Sequence, residues 1–463
     1  MRRPSGAALA AAIVILGVAG ITLWQLHPSL VFLDTTPAGG DTGAHVLVPA
    51  FLRDHLLPHG RLTGWSPSWY DGFPALTFYF PLPSLIIVAF NLVLPYGVAF
   101  KLVTVLGLLT LPLAAYAFGR MMDMRDPGPA CLAAATLPFL FDRTFTIYGG
   151  NVASTLAGEF AFSISLSLAL VFLGVVAKGQ RSGRHRALAA VLLAVTALCH
   201  VIPTFFALAG WAVLTLMRPA RRTLWWTAST GVVGGALVGF WAVPFLARLA
   251  YTNDMGWEKI TTYHKTLLPA SLDWLVALAL VGVVASVALR RRTGIFLSVM
   301  AVLSWAGFCL VPQSRLWNAR LLPFWFLCLY LLAGVAVAEL GAAAVALWRG
   351  TWRELWDGGG GRWVYLESFH EHLEGGPIDD GWVTRTAAQV AAALRPLHDA
   401  GRGHGSVRPR TILIRSDGPV DVRAGVDGEP LLEVLGYASP EGIDGKAATP
   451  TSDVWSLGAV VYE

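Results

Sequence analysis

The feature that most constrains this chain is the recurrence of apolar runs long enough to cross, or nearly cross, a bilayer. They lie near 8–26, 78–95, 98–118, 130–147, 161–177, 187–200, 203–217, 226–249, 272–289, 294–312 and 321–347. A run of about 20 apolar residues spans the hydrocarbon core as a helix, and in lipid every backbone polar group must be satisfied within the segment. Repeated runs of this kind therefore imply a mainly α fold, a polytopic transmembrane helical bundle of about 10–12 spans. The composition agrees: 55% of the 463 residues are hydrophobic and only 14% are charged.

The formal charge of +5 does not indicate nucleic-acid binding, because the basic residues cluster in short loops between apolar runs. Those loops are Lys178–Arg186, Arg218–Arg222, Arg290–Arg292 and Arg349–Arg353. Cys131, Cys199, Cys309 and Cys328 all lie inside apolar runs without paired spacing, so neither a disulfide framework nor a zinc site is expected. The start, "MRRPSGAALAAAIVILGVAGITLWQL", pairs a basic end with a long apolar run and lacks a clear small-x-small cleavage site. It reads as a retained first span with its N-terminus in the cytoplasm.

Placing the four basic loops in the cytoplasm alternates correctly from residue 161 onward. Eleven spans starting inside would, however, put "KGQRSGRHR" outside. One segment between 34 and 160 therefore does not behave as a simple span; a break near Pro112 or a re-entrant piece in 130–160 would repair the count. The outer face then receives 27–77, 148–160, the "HVIP" turn, 250–271 and 312–320. These segments hold most of the unusual polar residues.

In the first outer loop, Asp41 follows Gly39 and Gly40, which permit a sharp turn and leave the carboxylate unencumbered. Val46, Val48, Leu52, Leu56 and Leu57 then suit an interfacial amphipathic helix over 44–57. The plain alternative is that Asp41 merely caps that helix. Trp65, Trp69, Tyr70 and Phe73 add aromatic faces that suit either a headgroup belt or sugar stacking. The second outer loop, "YGGNVASTLAGEF", repeats glycines before Asn151, Ser154 and Glu159. An acid at a membrane boundary is costly unless paired or functional, although a solvated loop glutamate is the simpler reading. The last outer loop places Arg315 and Arg320 at the mouth of the final run, where they could hold phosphate or snorkel to headgroups. His200 sits beside Cys199 at the end of a run, either as a satisfied core histidine or as part of a site.

Acids and arginines on one face suit a lipid phosphate and a polar acceptor. Glycosyl transfer from a polyprenyl-phosphate sugar needs a carboxylate for the acceptor proton, or for a metal, and cations for the leaving phosphate. A transporter or scaffold for lipid-linked envelope intermediates could use similar residues.

The first span, the acid-bearing loop and "GWSPSWYDGFPALTFYFPLP" resemble the GT-C superfamily of polyprenyl-phosphate-sugar glycosyltransferases. More narrowly, "GGDTGAHV", "LRDHLLPHGRLTGW", "FDRTFTIYGGNVASTLAGEF" and "RLWNARLLPFW" are similar to actinobacterial membrane proteins grouped as 6-pyruvoyl-tetrahydropterin synthase-related. The resemblance covers roughly residues 10–345. It implies an enzyme of the plasma membrane acting on its extracytoplasmic face. The substrates would be a polyprenyl-phosphate sugar, arabinose or mannose, and a cell-envelope glycan acceptor. Asp41 would be the base or a ligand to a divalent cation such as Mg or Mn, with Glu159 a second acid and Arg315 and Arg320 on the donor phosphate. His45, Trp65, Trp69, Tyr70, Asn151 and His200 would supply substrate contacts. Pterin chemistry is not implied, because that enzyme needs a set of zinc-binding histidines and the one H-x-H here is His370 and His372.

These features divide the chain into a membrane domain, 1–349, a glycine-rich linker, 350–361, and a polar segment, 362–463. The last segment resembles the C-lobe of a Ser/Thr protein kinase, through "HGSVRPRTIL", "SPE" (Ser439–Glu441) and "SDVWSLG". The catalytic-base position is Ser406, the metal-binding Asn position is Thr411 and the D-F-G aspartate position is Ala424. All three groups that phosphoryl transfer needs are thus replaced, so a mostly helical pseudokinase-like fragment is expected, with no nucleotide bound. It reads as truncated, poorly folded alone, and either a cytoplasmic regulatory module or a misassembled fusion.

Overall fold

The computed structural model describes residues 6–68, 71–253, 259–314, 316–349, 366–368, 380–409, 411–415, 420–422, 436–444 and 446–462. The chain separates into two compact units, Met1–Gly360 and Gly361–Glu463.

In the first unit, α1 is Gly6–Gln25, α2 Thr42–Phe51, α3 Pro81–Asn91, α4 Tyr96–Met121 and α5 Gly128–Leu140. Then follow α6 Phe160–Ser182, α7 Arg186–Cys199, α8 Val201–Leu216 and α9 Arg221–Ala247. The unit ends with α10 Asp273–Ala288, α11 Arg292–Leu310 and α12 Leu322–Arg349. A small hairpin, β1 (Gly64–Ser66) and β2 (Phe73–Ala75), pairs Trp65 with Pro74. Among the described residues seven helical segments are long and apolar enough to cross a membrane, and α3, α5, α7 and α8 are shorter apolar helices. The chain is a mainly α, polytopic helical bundle.

Burial sorts the helices into layers. The most apolar windows of α6 and α12 are 89% and 83% buried, so these two form the centre of the bundle. Those of α1 and α9 are each only 17% buried, and they turn Leu16, Trp24, Val232 and Val243 outward as a lipid-facing surface would. Close backbone approach tightens the centre: a Cβ on Gly107 of α4 would lie 2.3 Å from the Ser163 carbonyl carbon of α6.

The connections gather at two ends. At the basic end, Arg181 pairs with Asp123 at 2.5 Å and donates to Met121 O, while Arg222 donates to Ser182 O and Trp226 to Arg184 O. Arg291 there makes a two-pronged pair with Glu339, at 2.9 and 3.1 Å.

At the opposite end lie the described residues of 27–80, 141–159, the α7–α8 turn and 311–321. Trp241 Nε1 donates to Leu76 O at 3.0 Å, and Ile260 N–H donates to Gln313 Oε1 at 2.8 Å. The α7–α8 hairpin breaks at His200, whose backbone is extended (φ −169°, ψ 130°), as "HVIP" suggests.

The miscounted segment is α3, and neither sequence-based repair holds. Helix α4 runs unbroken through Pro112, and α5 with the turn after it follows α12 until Arg320 Nη1 meets Ile147 O at 2.9 Å. Helix α3 has 11 residues, about 16 Å at 1.5 Å per residue, roughly half the hydrocarbon thickness. Both of its flanks sit at the same end. Leu76 before it meets Trp241, and Asn91 at its last turn accepts from Arg53 at 2.7 Å. Beyond it, Gly97 N–H donates to Asp34 at 3.1 Å and Lys101 Nζ to Leu30 O at 2.5 Å. With α3 lying at that end, the basic residues of 178–186, 218–222 and 290–292 fall together at the other, and residues 350–353 of the last basic loop lie outside the described residues.

The second unit contains a three-stranded antiparallel sheet of β3 (Leu366–Ser368), β4 (Ile412–Arg415) and β5 (Val420–Val422), in the order β3-β4-β5. It also holds α13 (Asp380–Asp399) and α14 (Pro450–Tyr462), around a small core of Val390, Leu394, Val407, Ile412, Val420 and Val460.

Candidate functional site

Two loops far apart in sequence are clasped together at the non-basic end. Asp41 N–H donates to Ala157 O at 2.8 Å, and Thr42 Oγ1 donates to Leu156 O at 2.8 Å. The approach requires glycine at Gly40 (φ +49°), where a Cβ would lie 2.4 Å from the Ala157 carbonyl oxygen. Gly158 answers from the other side with φ +125°, and a Cβ there would lie 3.0 Å from Asp41 Cβ and 3.2 Å from His45 Cδ2. The helix leading to Glu159 is accordingly interrupted, with a π-type turn over Thr155–Glu159 before α6 begins.

Asp41 occupies the position before the first turn of α2, yet its side chain makes no capping hydrogen bond. The helix-cap alternative therefore fails. The residue is exposed, and among the described residues its carboxylate has no recorded hydrogen bond or ion pair. A free carboxylate on a backbone-clasped turn is available to a ligand.

Glu159 and Arg320 are brought together. Glu159 Oε1 pairs with Arg320 Nη1, with side chains 15% and 14% exposed, and that same Nη1 donates to Ile147 O at 2.9 Å. Arg320 also lies over the Trp317 ring, 5.9 Å from its centre. The second carboxylate oxygen, Oε2, stands 3.7 Å from His200 Nε2. His200 Nδ1 accepts from the Ile202 N–H at 3.2 Å, so the proton of this ring is on Nε2, facing Glu159. Phe80 and Phe162 hold the imidazole, with ring centres 4.2 and 5.2 Å away.

His45 lies one turn after Asp41. Its Nε2 is 3.4 Å from the Tyr79 hydroxyl, and its ring meets Phe160 edge-on at 5.7 Å. Burial lowers its pKa from 6.5 to about 4, against the opposing pull of Asp41, so the ring is neutral near pH 7. Burial likewise pushes the Tyr79 hydroxyl well above the usual tyrosine range.

Of the other expected contacts, Asn151 and Trp65 are placed apart from this cluster. Asn151 is fully buried and bonded internally: its amide donates to Asp142 O and Phe145 O at 2.8 Å each, and its oxygen accepts from Ser154 N–H. Trp65 is 64% exposed on the β1–β2 hairpin, its indole over Gly72. Trp69, Tyr70, Arg315 and Ala424 lie outside the described residues, as do His370 and His372. Tyr79 and Thr42, which contribute to the cluster and the clasp, were not anticipated. The apolar alternation around "LTFYFPLP" hides Tyr79, and a threonine at a helix start reads as ordinary.

Among the described residues, no three His, Cys, Asp or Glu side chains stand close enough to share an ion, and Glu159 is already neutralised by Arg320. The four cysteines are free.

Residues 76–348 match the family described as 6-pyruvoyl-tetrahydropterin synthase related domain, membrane protein. The chain belongs to that family. The matched region contains Glu159, His200 and Arg320 and begins after Asp41 and His45. Other relatives are protein kinases, matched over lengths comparable to the second unit. The serine/threonine-protein kinase PknL of Mycobacterium tuberculosis is 35% identical over 102 residues, 20% of this chain and 26% of the kinase. The kinase PknA of Mycobacterium tuberculosis is 40% identical over 86 residues, 16% of this chain and 20% of the kinase. The MAP kinase kinase MKK1/SSP32 of Saccharomyces cerevisiae is 32% identical over 108 residues, 21% of each chain. The chain thus spans only a fifth to a quarter of these curated relatives. No solved structure matches.

In the second unit, buried Asp453 gathers the loop that carries Ser406. It accepts from His398 Nε2 at 2.8 Å and from the backbone N–H groups of His404 and Gly405 at 2.5 and 2.8 Å. The buried Thr411 hydroxyl donates within the same loop, to the carbonyls of Ser406 and Arg408.

Proposed function

We propose that the chain is an integral membrane glycosyltransferase that moves a sugar from a polyprenyl-phosphate donor to a cell-envelope glycan. The observation that carries this reading is Asp41: an exposed, unbonded carboxylate clasped beside an Arg320–Glu159 pair. The positive-inside rule would put the basic end in the cytoplasm and Asp41 on the extracytoplasmic face of the plasma membrane. A lipid-linked donor could then reach the site without leaving the bilayer.

In this mechanism the anomeric C–O bond to phosphate breaks as the acceptor oxygen bonds to the anomeric carbon. Asp41 takes the acceptor hydroxyl proton, and the leaving phosphate carries away the electron pair and rests against Arg320, joined by Arg315. His45 and Tyr79 line the approach as neutral groups. No step is routed through a divalent cation, because among the described residues no three acidic, His or Cys side chains stand together to hold one.

The test compares wild type with Asp41→Asn at equal expression, in membranes given radiolabelled polyprenyl-phosphate arabinose or mannose and an envelope-derived acceptor. Loss of roughly 100-fold or more of sugar incorporation is expected for removal of a general base. Incorporation untouched by Asp41→Asn would sink this assignment, whereas retained lipid binding without any transfer would favour a transporter or scaffold.

For residues 362–463 we propose a kinase-like module that does not transfer phosphate. The reading is supported by protein-kinase relatives of the chain, matched over lengths comparable to this segment; Ser406 and Thr411 stand where a base and a metal ligand are needed, and Thr411 is bonded within its own loop. Mg-ATP binding would overturn this.

A further inference from the structure

We propose that Arg320 is a lipid-phosphate site masked by Glu159, and that the phosphate opens it by handing Glu159 over to His200. The inference rests on reading the cluster as a polyprenyl-phosphate site, and it adds how that site discriminates an occupied from an empty state.

Three geometric facts carry it. First, Glu159 stands between two partners of different kinds: Oε1 is on the Arg320 cation, and Oε2 is 3.7 Å from His200 Nε2, just beyond hydrogen-bond reach. Second, His200 is a fixed receiver. Its Nδ1 is committed to the Ile202 N–H, its carbonyl accepts from the Ser165 and Thr204 hydroxyls at 3.1 and 2.9 Å, and its ring is wedged by Phe80 and Phe162. The Nε2–H therefore points at Glu159 with no other recorded partner, and only Glu159 has to move. Third, Glu159 follows Gly158 (φ 125°, ψ −10°), where the helix is already interrupted, so a change of its side chain does not require breaking a regular α-turn.

Arg320 is equipped for the exchange. The recorded contacts of its guanidinium, with Glu159 Oε1 and Ile147 O, both involve Nη1, and Nε and Nη2 make no recorded hydrogen bond among the described residues. Paired N–H donors of one guanidinium match two phosphate oxygens. When a phosphate takes that edge, the Glu159 carboxylate faces a new negative charge. The Nε2–H of His200 is the neutral donor within reach, and a shift of about an ångström turns the 3.7 Å approach into a hydrogen bond. With no phosphate present, Glu159 keeps Arg320 neutralised in a partly apolar setting, where an unpaired cation would be costly. A neutral polyprenol brings no charge to compete for Arg320, so it leaves the mask closed.

The experiment measures binding alone, so that it does not depend on transfer. Full-length chain in nanodiscs is titrated with a polyprenyl monophosphate, with the matching polyprenol and inorganic phosphate as controls. Wild type, Glu159→Gln, Arg320→Gln, His200→Phe and the Glu159→Gln/His200→Phe double variant are compared, each accepted only if monodisperse. Arg320→Lys replaces Arg320→Gln if the latter does not fold. Removing the mask should tighten binding of the monophosphate by about ten-fold in Glu159→Gln, and removing Arg320 should abolish it. His200→Phe should weaken binding, and the double variant should return to the Glu159→Gln affinity, because His200 acts only through Glu159. Equal or weaker binding by Glu159→Gln, with Arg320→Gln still impaired, would overturn the mask while leaving the lipid-phosphate site standing. Equal affinity for polyprenol and polyprenyl monophosphate in every variant would overturn both.

Discussion

Replacing Gly40 with alanine asks whether the clasp between the two loops, rather than α2 itself, holds Asp41 in place. An added Cβ would sit 2.4 Å from the Ala157 carbonyl oxygen and 3.0 Å from its carbon and Cα, all backbone atoms that no rotamer change can remove. The left-handed backbone at φ +49° costs a non-glycine residue about 1 kcal/mol. Pushing the carbonyl away also strains the 2.8 Å bond from Asp41 N–H, a net loss of about 0.5–1.5 kcal/mol. The sum is about 2 kcal/mol. Gly43, three positions on, is the control: it lies inside α2 with ordinary φ and nothing within 4 Å of an added Cβ. Alanine there should stabilise by up to about 1 kcal/mol through helix propensity.

The two substitutions should therefore shift stability in opposite directions. Unfolding of detergent-solubilised chain can be followed with a thiol-reactive fluorophore, since Cys199 and Cys328 are free and buried. Gly40→Ala should melt a few degrees below wild type and Gly43→Ala at or above it. Misplacing Asp41 by about an ångström should also cut transfer by up to about 100-fold in Gly40→Ala. A Gly40→Ala protein that melts with the Gly43→Ala protein and transfers sugar normally would refute the reasoning.

His45 predicts a pH dependence. Its folded pKa, about 4, lies below the ordinary 6.5, so the unfolded chain binds the extra proton between those values. The stability it supports is complete above about pH 6.5 and falls as pH drops toward 4, by up to about 1.4 kcal/mol per pH unit. His45→Gln should show a shallower acid limb in thermal unfolding, and identical limbs would place the titration elsewhere. Mg-ATP at millimolar concentration should leave the thermal midpoint of the full chain unchanged, and a reproducible upward shift would restore nucleotide binding to the second unit.

Much of the bundle was legible because lipid imposes one strong rule, that a spanning segment be a long apolar helix. Each of the eleven apolar runs contains a helix, the break at "HVIP" is real, and the acid-bearing glycine turns lie at one end. That rule says nothing about orientation. Helix α3 is as apolar as its neighbours, and only its contacts, Trp241 to Leu76 O before it and Arg53 to Asn91 at its end, show that it lies at one end of the bundle.

The site was legible as residue types and not as partners. Glycines before Asp41 and Glu159 marked both turns, but the clasp between them runs through the carbonyls of Leu156 and Ala157, which carry no side-chain signature. Asn151 reads like Glu159 in sequence, yet the fold turns its amide inward onto Asp142 and Phe145. That Glu159 meets Arg320 and faces His200 depends on α6, the α7–α8 turn and the start of α12 converging at one point. Sequence by itself determined which segments are helices, because hydrophobicity and backbone satisfaction are local demands. Which charges neutralise one another was decided only by the tertiary structure, because Coulomb and hydrogen-bond partners are chosen by distances of a few ångströms that no local pattern records.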